Sequence, residues 1–304
     1  MFQTSAKHIN MKKLFEVPYN FDEKLIKYYK KHADRINFLY LPPYKDDLLN
    51  TRSTIQTKVK GHCYMPQSRE EYERHLRLVR HSGLCFVVLW QDRDSTISTE
   101  QLDYYTQLGA SGFIIANDNN AKIIKDYNPS LLVICSLVQK LQRNILNRDF
   151  NNYDYIILYY TFNRSLNAIK KLSALKEKIV LMPNTICNIE CPSVHHWFPS
   201  KEKPFDFQND CLLRLDTIRM CGLIFPEHLK LFNQHVGGFK LQGREYPTEA
   251  IKYLCHFYFE EEDYCDFISP FLREDMAQIL KDMVHSMNEE EYYNIYTDKI
   301  IDYV

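Results

Sequence analysis

Eight short apolar runs, separated by segments of helical period, predict a (β/α)8 TIM-like barrel with an N-terminal extension and C-terminal helical additions for this 304-residue chain. Two further observations support that fold class. The runs are continuous and rich in β-branched residues instead of alternating, the pattern of parallel strands covered on both faces. No strand-adjacent GxGxxG or GxxxxGK[ST] string occurs, which removes the main support for the alternative, an open doubly wound nucleotide-binding sheet.

In chain order the strand candidates are INFLYL (36–41), LCFVVLW (84–90), GFIIA (112–116), LLVICSL (131–137), YIILYY (155–160), KIVLM (178–182), GLIF (222–225) and GFKLQ (238–242). Between them SREEYERHLRLVRHSG, STEQLDYYTQLG, NNAKIIKDYN and NRSLNAIKKLSALKE begin on polar residues and repeat apolar ones at helical spacing. Gly83 and Gly109 stand where two of these helices should stop. The predicted organisation is an extension over residues 1–35, the barrel over 36–255 and helical additions over 256–304. The additions carry the acidic strings EEED and NEEEYYNIY and are expected to cap a barrel opening, with a partner surface as the alternative. Two connections are long, residues 42–83, with a β-rich KGHCYMP, and residues 183–221; long βα connections are where barrels place function.

Thirty-eight basic residues against 39 acidic ones give a net charge of -1, which argues against a nonspecific nucleic-acid binder. The longest apolar runs are far too short to span a bilayer, and the lysine-bearing N-terminus has no apolar segment after it, so a cytoplasmic protein without a membrane span is expected. Nine cysteines in a reducing compartment point to metal or thiol chemistry more than to disulfides. Cys85 and Cys135, inside apolar strings, are expected to be inert core residues.

The informative cysteines follow the sixth run, in PNTICNIECPSVHHWF. Cys187 and Cys191 are four apart and share a side if the loop turns helically; Cys211 and Cys221 come later in the same connection. Four thiolates could hold an iron-sulfur cluster or, alternatively, zinc, with His195 or His196 as substitute ligands. Val194 at the third position after Cys191 breaks the CxxxCxxC string that radical SAM chemistry uses.

Other strand ends carry polar groups expected to converge on the same mouth. Gln91, Asp92, Asn117, Asp118, Asn163 and Arg164 follow the second, third and fifth runs, and Lys240, Arg244 and Glu249 lie at or beyond the last. Asn117, Asn163, Arg164 and Glu249 are candidate substrate ligands, with helix capping the alternative for both asparagines and ion pairing for Arg164 and Glu249. Asn184, Lys240 and Arg244 are candidate catalytic residues; Lys240 and Arg244 could bind an anion or form stabilising ion pairs with Glu249 or Glu227.

The segment NTICNIECPSVHHWF after KIVLM, with GLIFPEHLKLFNQHVGGFKLQGREYPTEAI, resembles the peptidase U32-like family of barrel proteins, over roughly residues 36 to 255. The family name implies peptidase activity, but the resemblance also extends to oxygen-independent hydroxylation proteins that act on ubiquinone precursors or RNA and hold a [4Fe-4S] cluster on four cysteines. Carried over, it implies cluster ligation by Cys187, Cys191 and Cys211, with Cys221 the fourth ligand, or else Cys255 or Cys63. The CxxxC spacing here is tighter than in some relatives.

The expected function is therefore an iron-sulfur barrel enzyme that performs redox modification, oxygen-independent hydroxylation being one form, of a small molecule, peptide or RNA component. An electron-donor or hetero-oligomeric protein partner would accompany it. The alternatives are a hydrolase without a cluster, pairing Cys187 with His195, and a noncatalytic metal-bearing barrel subunit that binds a partner protein.

Overall fold

Parallel strands closed edge to edge form the centre of the computed structural model, which describes residues 15–47, 66–139, 145–189, 218–244, 246–260 and 274–300. The barrel strands are β1 (Phe15–Pro18), β2 (Ile36–Leu41), β3 (Phe86–Trp90), β4 (Gly112–Ile115), β5 (Leu132–Cys135), β6 (Tyr155–Ile157), β7 (Ile179–Leu181) and β10 (Gly238–Lys240). Each pairs in parallel with the next, and β10 closes the ring between β7 and β1. Two further strands, β8 (Asn184–Asn188) and β9 (Cys221–Leu223), pair antiparallel as a separate ribbon.

Side chains on successive strand residues point to opposite faces, and the core divides accordingly. Phe38, Tyr40, Val87, Leu89, Ile114, Ile134, Ile157 and Val180 pack together inside the barrel. Phe15, Val17, Leu39, Val88, Phe113, Val133, Ile156, Leu181 and Phe239 join the outer core beneath the helices. Both faces are buried, which is why the strands read as unbroken apolar runs.

The outer layer contains α1 (Glu23–Lys31), α2 (Arg69–His81), α3 (Thr99–Gln107), α4 (Asp118–Tyr127), α5 (Leu166–Lys171) and α6 (Thr248–Glu260). Local sequence starts them: Ser68 accepts from the Glu71 amide ahead of α2, and Ser98 with Gln101 forms a capping box ahead of α3. Gly83 and Gly109 follow α2 and α3 with φ of 81° and 103°, the left-handed conformation that ends a helix.

Strand placement differs from the sequence reading at two points. The first barrel strand is FEVP at 15–18, inside the segment assigned to an N-terminal extension, and its central glutamate is what broke the apolar pattern. GLIF does not supply a barrel strand; residues 221–223 belong to the ribbon. That segment is apolar because it is covered by other elements: Tyr258 donates to the Ile224 carbonyl at 2.7 Å, and the Phe225 amide donates to the Tyr293 hydroxyl.

The C-terminal additions are α7 (Glu274–Ser286), α8 (Glu289–Tyr292) and α9 (Thr297–Ile300). Tyr292 and Tyr293 are fully buried, whereas the glutamates of α8 lie outside and Glu290 pairs with Lys170 at 2.8 Å. The acidic string is thus the solvated face of a docked helix. The KGHCYM part of the KGHCYMP segment, residues 60–65, lies outside the described residues. Among the described residues no helix is long and apolar enough to cross a membrane.

Candidate functional site

Inside an otherwise apolar barrel the chain buries two opposite charges. Phe15 and Val17 lie in the outer core, so Glu16 between them points inward; Phe239 and Leu241 place Lys240 inward in the same way. Glu16 and Lys240 are Cα partners in the β1–β10 ladder and are 2% and 4% exposed. The Lys240 ammonium lies 2.8 Å from the centroid of the Tyr40 ring, which is held by its hydroxyl's 2.7 Å bond to the Leu241 carbonyl. Neither carboxylate oxygen of Glu16 has a hydrogen-bond partner among the described residues. Burial pushes the Glu16 carboxyl up to about 7, and the Lys240 charge opposes part of that rise.

The ribbon β8–β9 sits at the C-terminal ends of the strands, because β8 begins three residues after β7 ends. Asn184 fastens it to the end of β10: its amide donates to the Gln242 carbonyl at 2.9 Å and accepts from the Gln242 amide at 3.0 Å, while the Gln242 side chain donates to the Asn184 carbonyl. Asn163 supplies a second fastening, donating to the carbonyls of Met182 and Gly222 at 2.8 and 2.6 Å. The roles visible for Asn184 and Asn163 are therefore bridges between main-chain segments.

The two described loop cysteines do not converge. Cys187, Ile189 and Met220 pack against the barrel-interior cluster, whereas Cys221, the ladder partner of Asn188, belongs to the outer core on the opposite side of the ribbon. Cys221 is fully buried beside Arg164 and the Tyr258 and Tyr292 hydroxyls; burial raises its thiol pKa, and the Arg164 charge opposes that rise. A four-thiolate site that includes Cys221 does not fit this arrangement. Cys187 is half-buried, on the side facing the barrel, and remains suited to ligation. Cys191, Cys211, Cys63, His195 and His196 lie outside the described residues. Among the described residues no three His, Cys, Asp or Glu side chains group as a metal site. Cys255, the other candidate fourth ligand, is fully buried in the outer core, with its thiol pKa raised by burial.

Arg164 is fully buried, which rules out a surface ion pair. Its guanidinium donates to the carbonyls of Tyr292, Arg219 and Cys221 at 2.9 to 3.1 Å and lies 3.7 Å from the centroid of the Tyr292 ring. It clamps the C-terminal helices and the ribbon to the segment after β6. His228, in the Pro-Glu-His-Leu turn, adds a second clamp through its 2.9 Å bond to the Tyr293 hydroxyl.

The remaining candidates are dispersed. Asn117 is the N-cap of α4, accepting from the Asn120 amide and donating to the carbonyls of Arg93 and Ser95. Asp118 is exposed and paired with Arg148 at 2.6 Å, and Gln91 donates to Ser136. Glu249 is exposed on the first turn of α6 and pairs with Lys252 at 2.8 Å, one turn along the same helix. Arg244 is half-buried just after Gly243, whose φ of 132° only glycine adopts readily. Cys135 is an inert core thiol with its pKa pushed up to about 12 by burial, as expected, but Cys85 is exposed because its strand begins one residue later.

Glu16 and Tyr40 escaped the sequence reading. The one available signal was a single carboxylate amid the apolar FEVP, visible only once that segment is recognised as a strand.

No family model matches the chain, and no curated protein matches it. Solved structures do. The chain is similar to the U32 peptidase Mk0906, with a TM-score of 0.51 and 13% identity over 81% of this chain and 98% of that one. An HpcH/HpaI aldolase from Desulfitobacterium hafniense DCB-2 gives a TM-score of 0.34 and 8% identity over 86% and 96% of the two chains. The tryptophan synthase A-subunit from Pyrococcus furiosus gives 0.33 and 9% over 90% and 98%. At these identities the first likeness supports the barrel fold, similar to that of a U32 peptidase, and nothing finer.

Proposed function

We propose that the chain is a barrel enzyme of the U32-like kind, with its reaction centre at the C-terminal mouth and an iron-sulfur cluster held there by Cys187, Cys191 and Cys211. The observation that carries this reading is the position of Cys187, half-buried on the barrel-facing side of the ribbon, with Cys191 four residues further along the chain. Cys221 leaves the predicted ligand set, because its thiol belongs to the opposite side of that ribbon. A cluster with three cysteine ligands supplies one-electron chemistry and an iron open to substrate or a fourth ligand. The resemblance in sequence favours redox modification of a small molecule, peptide or RNA component, oxygen-independent hydroxylation included. The hydrolase alternative would pair Cys187 with His195, which lies outside the described residues.

The protein's part is to hold that centre in place. Asn184 and Asn163 fix the ribbon to the ends of β10 and β7, so the Cys187 side chain is placed by two buried amide bridges. The test is anaerobic purification with iron and acid-labile sulfide assays. About four of each per chain are expected for a loaded cluster. Cys187→Ala should abolish iron binding and Cys221→Ala should retain it. Colourless, iron-free protein, tight zinc in place of iron, or equal loss in the two variants overturns the reading.

A further inference from the structure

A lysine and a glutamate on adjacent strands inside an apolar barrel are costly to bury, the more so because their charged ends form no hydrogen bond or salt bridge with each other. Fold stability is therefore a weak explanation for Glu16 and Lys240. Lys240 ends β10, at the strand end where barrels present reactive groups. Its inward predecessor, Gly238, contributes no side chain to the interior beneath it. Glu16 has two carboxylate oxygens with no hydrogen-bond partner among the described residues at 2% exposure, an unused capacity in a place where polar groups are normally satisfied.

We propose that Lys240 forms an imine with a short, uncharged aldehyde or ketone that enters the barrel mouth, and that Glu16 is the acid-base partner of that step. The chemistry follows from the pair. In low dielectric, a neutral amine and a neutral carboxylic acid are less costly to bury than the two separate charges. The amine nitrogen attacks the carbonyl carbon, a C–N bond forms, and the nitrogen's proton passes to the oxygen to give a carbinolamine. The Glu16 acid then protonates that hydroxyl; the C–O bond breaks, water leaves, and an iminium remains opposite the Glu16 carboxylate. Nothing is oxidised or reduced, and the pair is electrically neutral before and after.

Carbonyl class follows from the lining. Phe38, Tyr40, Val87, Leu89 and Val180 line the barrel interior and carry no charge, so the lining itself favours a short, uncharged carbonyl compound. A carboxyl with its pKa pushed to about 7 is also poised to give and take a proton near neutrality. This inference stands apart from the thiolate centre.

Reductive trapping tests it directly on the full chain. Formaldehyde or glycolaldehyde with cyanoborohydride at pH 7, followed by peptide mass spectrometry, reports imine formation at each lysine. Exposed lysines hold roughly one neutral amine in 2,500 at that pH. Lys240 is expected to be trapped at least about tenfold faster than exposed Lys27 and Lys230, in keeping with a desolvated amine. Lys240→Arg should remove that adduct, and Glu16→Gln should slow it by about 100-fold, the size of a lost general acid. Lys240 trapped no faster than Lys27 and Lys230, or left unmodified while they react, overturns the proposal. Iron loading reads the cluster and reductive trapping reads Lys240, so failure of the cluster reading and failure of this one are separable.

Discussion

Glu16 and Lys240 are directly paired across the ladder that closes the barrel, and both side chains turn away from the outer core into its interior. The closing seam of the fold is therefore also where charge is buried in the barrel interior. Tyr40 completes the group from the other neighbour of β1, its ring against the ammonium and its hydroxyl tied to the main chain just beyond Lys240.

Stability should fall with rising pH because of Glu16. Its carboxyl is raised in the fold from an ordinary value of 4.5 to about 7, so between those values the folded state binds more protons than the unfolded state. The stabilising effect is complete below the unfolded value and lost as pH climbs through the folded one. A shift of that size corresponds to roughly 3 kcal/mol between pH 4 and 8. Urea unfolding across that range should show the decline in the native protein and its absence in Glu16→Gln. Lys240→Met removes the charge that holds the carboxyl down, so the decline should move to higher pH.

Arg164 should be the residue on which docking of the C-terminal helices depends most. Removing its guanidinium leaves the carbonyls of Tyr292, Arg219 and Cys221 buried without that donor, each a loss of about 1 to 3 kcal/mol if unrelieved. Arg164→Met should destabilise the protein by about 3 kcal/mol or more and raise hydrogen exchange in residues 289–300. Arg164→Lys keeps the charge but loses the planar fork, and should recover less than half of that loss.

Two glycines separate backbone crowding from backbone conformation. A Cβ at Gly112 would lie 2.1 Å from the Leu132 carbonyl oxygen of the neighbouring strand, an atom the ladder cannot move aside. Gly112→Ala should prevent barrel closure or cost more than about 3 kcal/mol. Gly83 has open space around it and a φ of 81°, so Gly83→Ala should cost only about 1 kcal/mol. Thermal denaturation of the two variants distinguishes the cases.

The barrel was legible because its strands are covered on both faces, and unbroken apolar runs reveal that covering directly. The same rule misplaced both ends of the strand count. FEVP was hidden by the glutamate it carries inward, and GLIF imitated a barrel strand because the ribbon and the C-terminal helices bury it equally well. Site residues were harder for a related reason. Asn163, Arg164 and Asn184 are polar residues at strand ends, as binding groups would be, but their partners are carbonyls 19 to 128 residues away, which no local pattern reports. Lys240 was visible as a candidate group at the end of the last strand; that it faces inward is shown by Phe239 and Leu241 on either side of it in the outer core.

Thiol chemistry should sort the described cysteines by the layer each occupies. Cys85 is exposed and Cys187 half-buried, whereas Cys135, Cys221 and Cys255 are buried with thiol pKa values raised by desolvation. Alkylation follows the accessible thiolate, so iodoacetamide on metal-free native protein at pH 8 should modify Cys85 and Cys187 first and leave the other three until unfolding. Asn184→Ala removes the bridge between the ribbon and the end of β10, and should speed modification of Cys187 several-fold without changing that of Cys85. If Cys221 reacted as fast as Cys187 in the native protein, the ribbon could not be separating the two thiols onto opposite sides, and the three-cysteine ligand set would lose its basis.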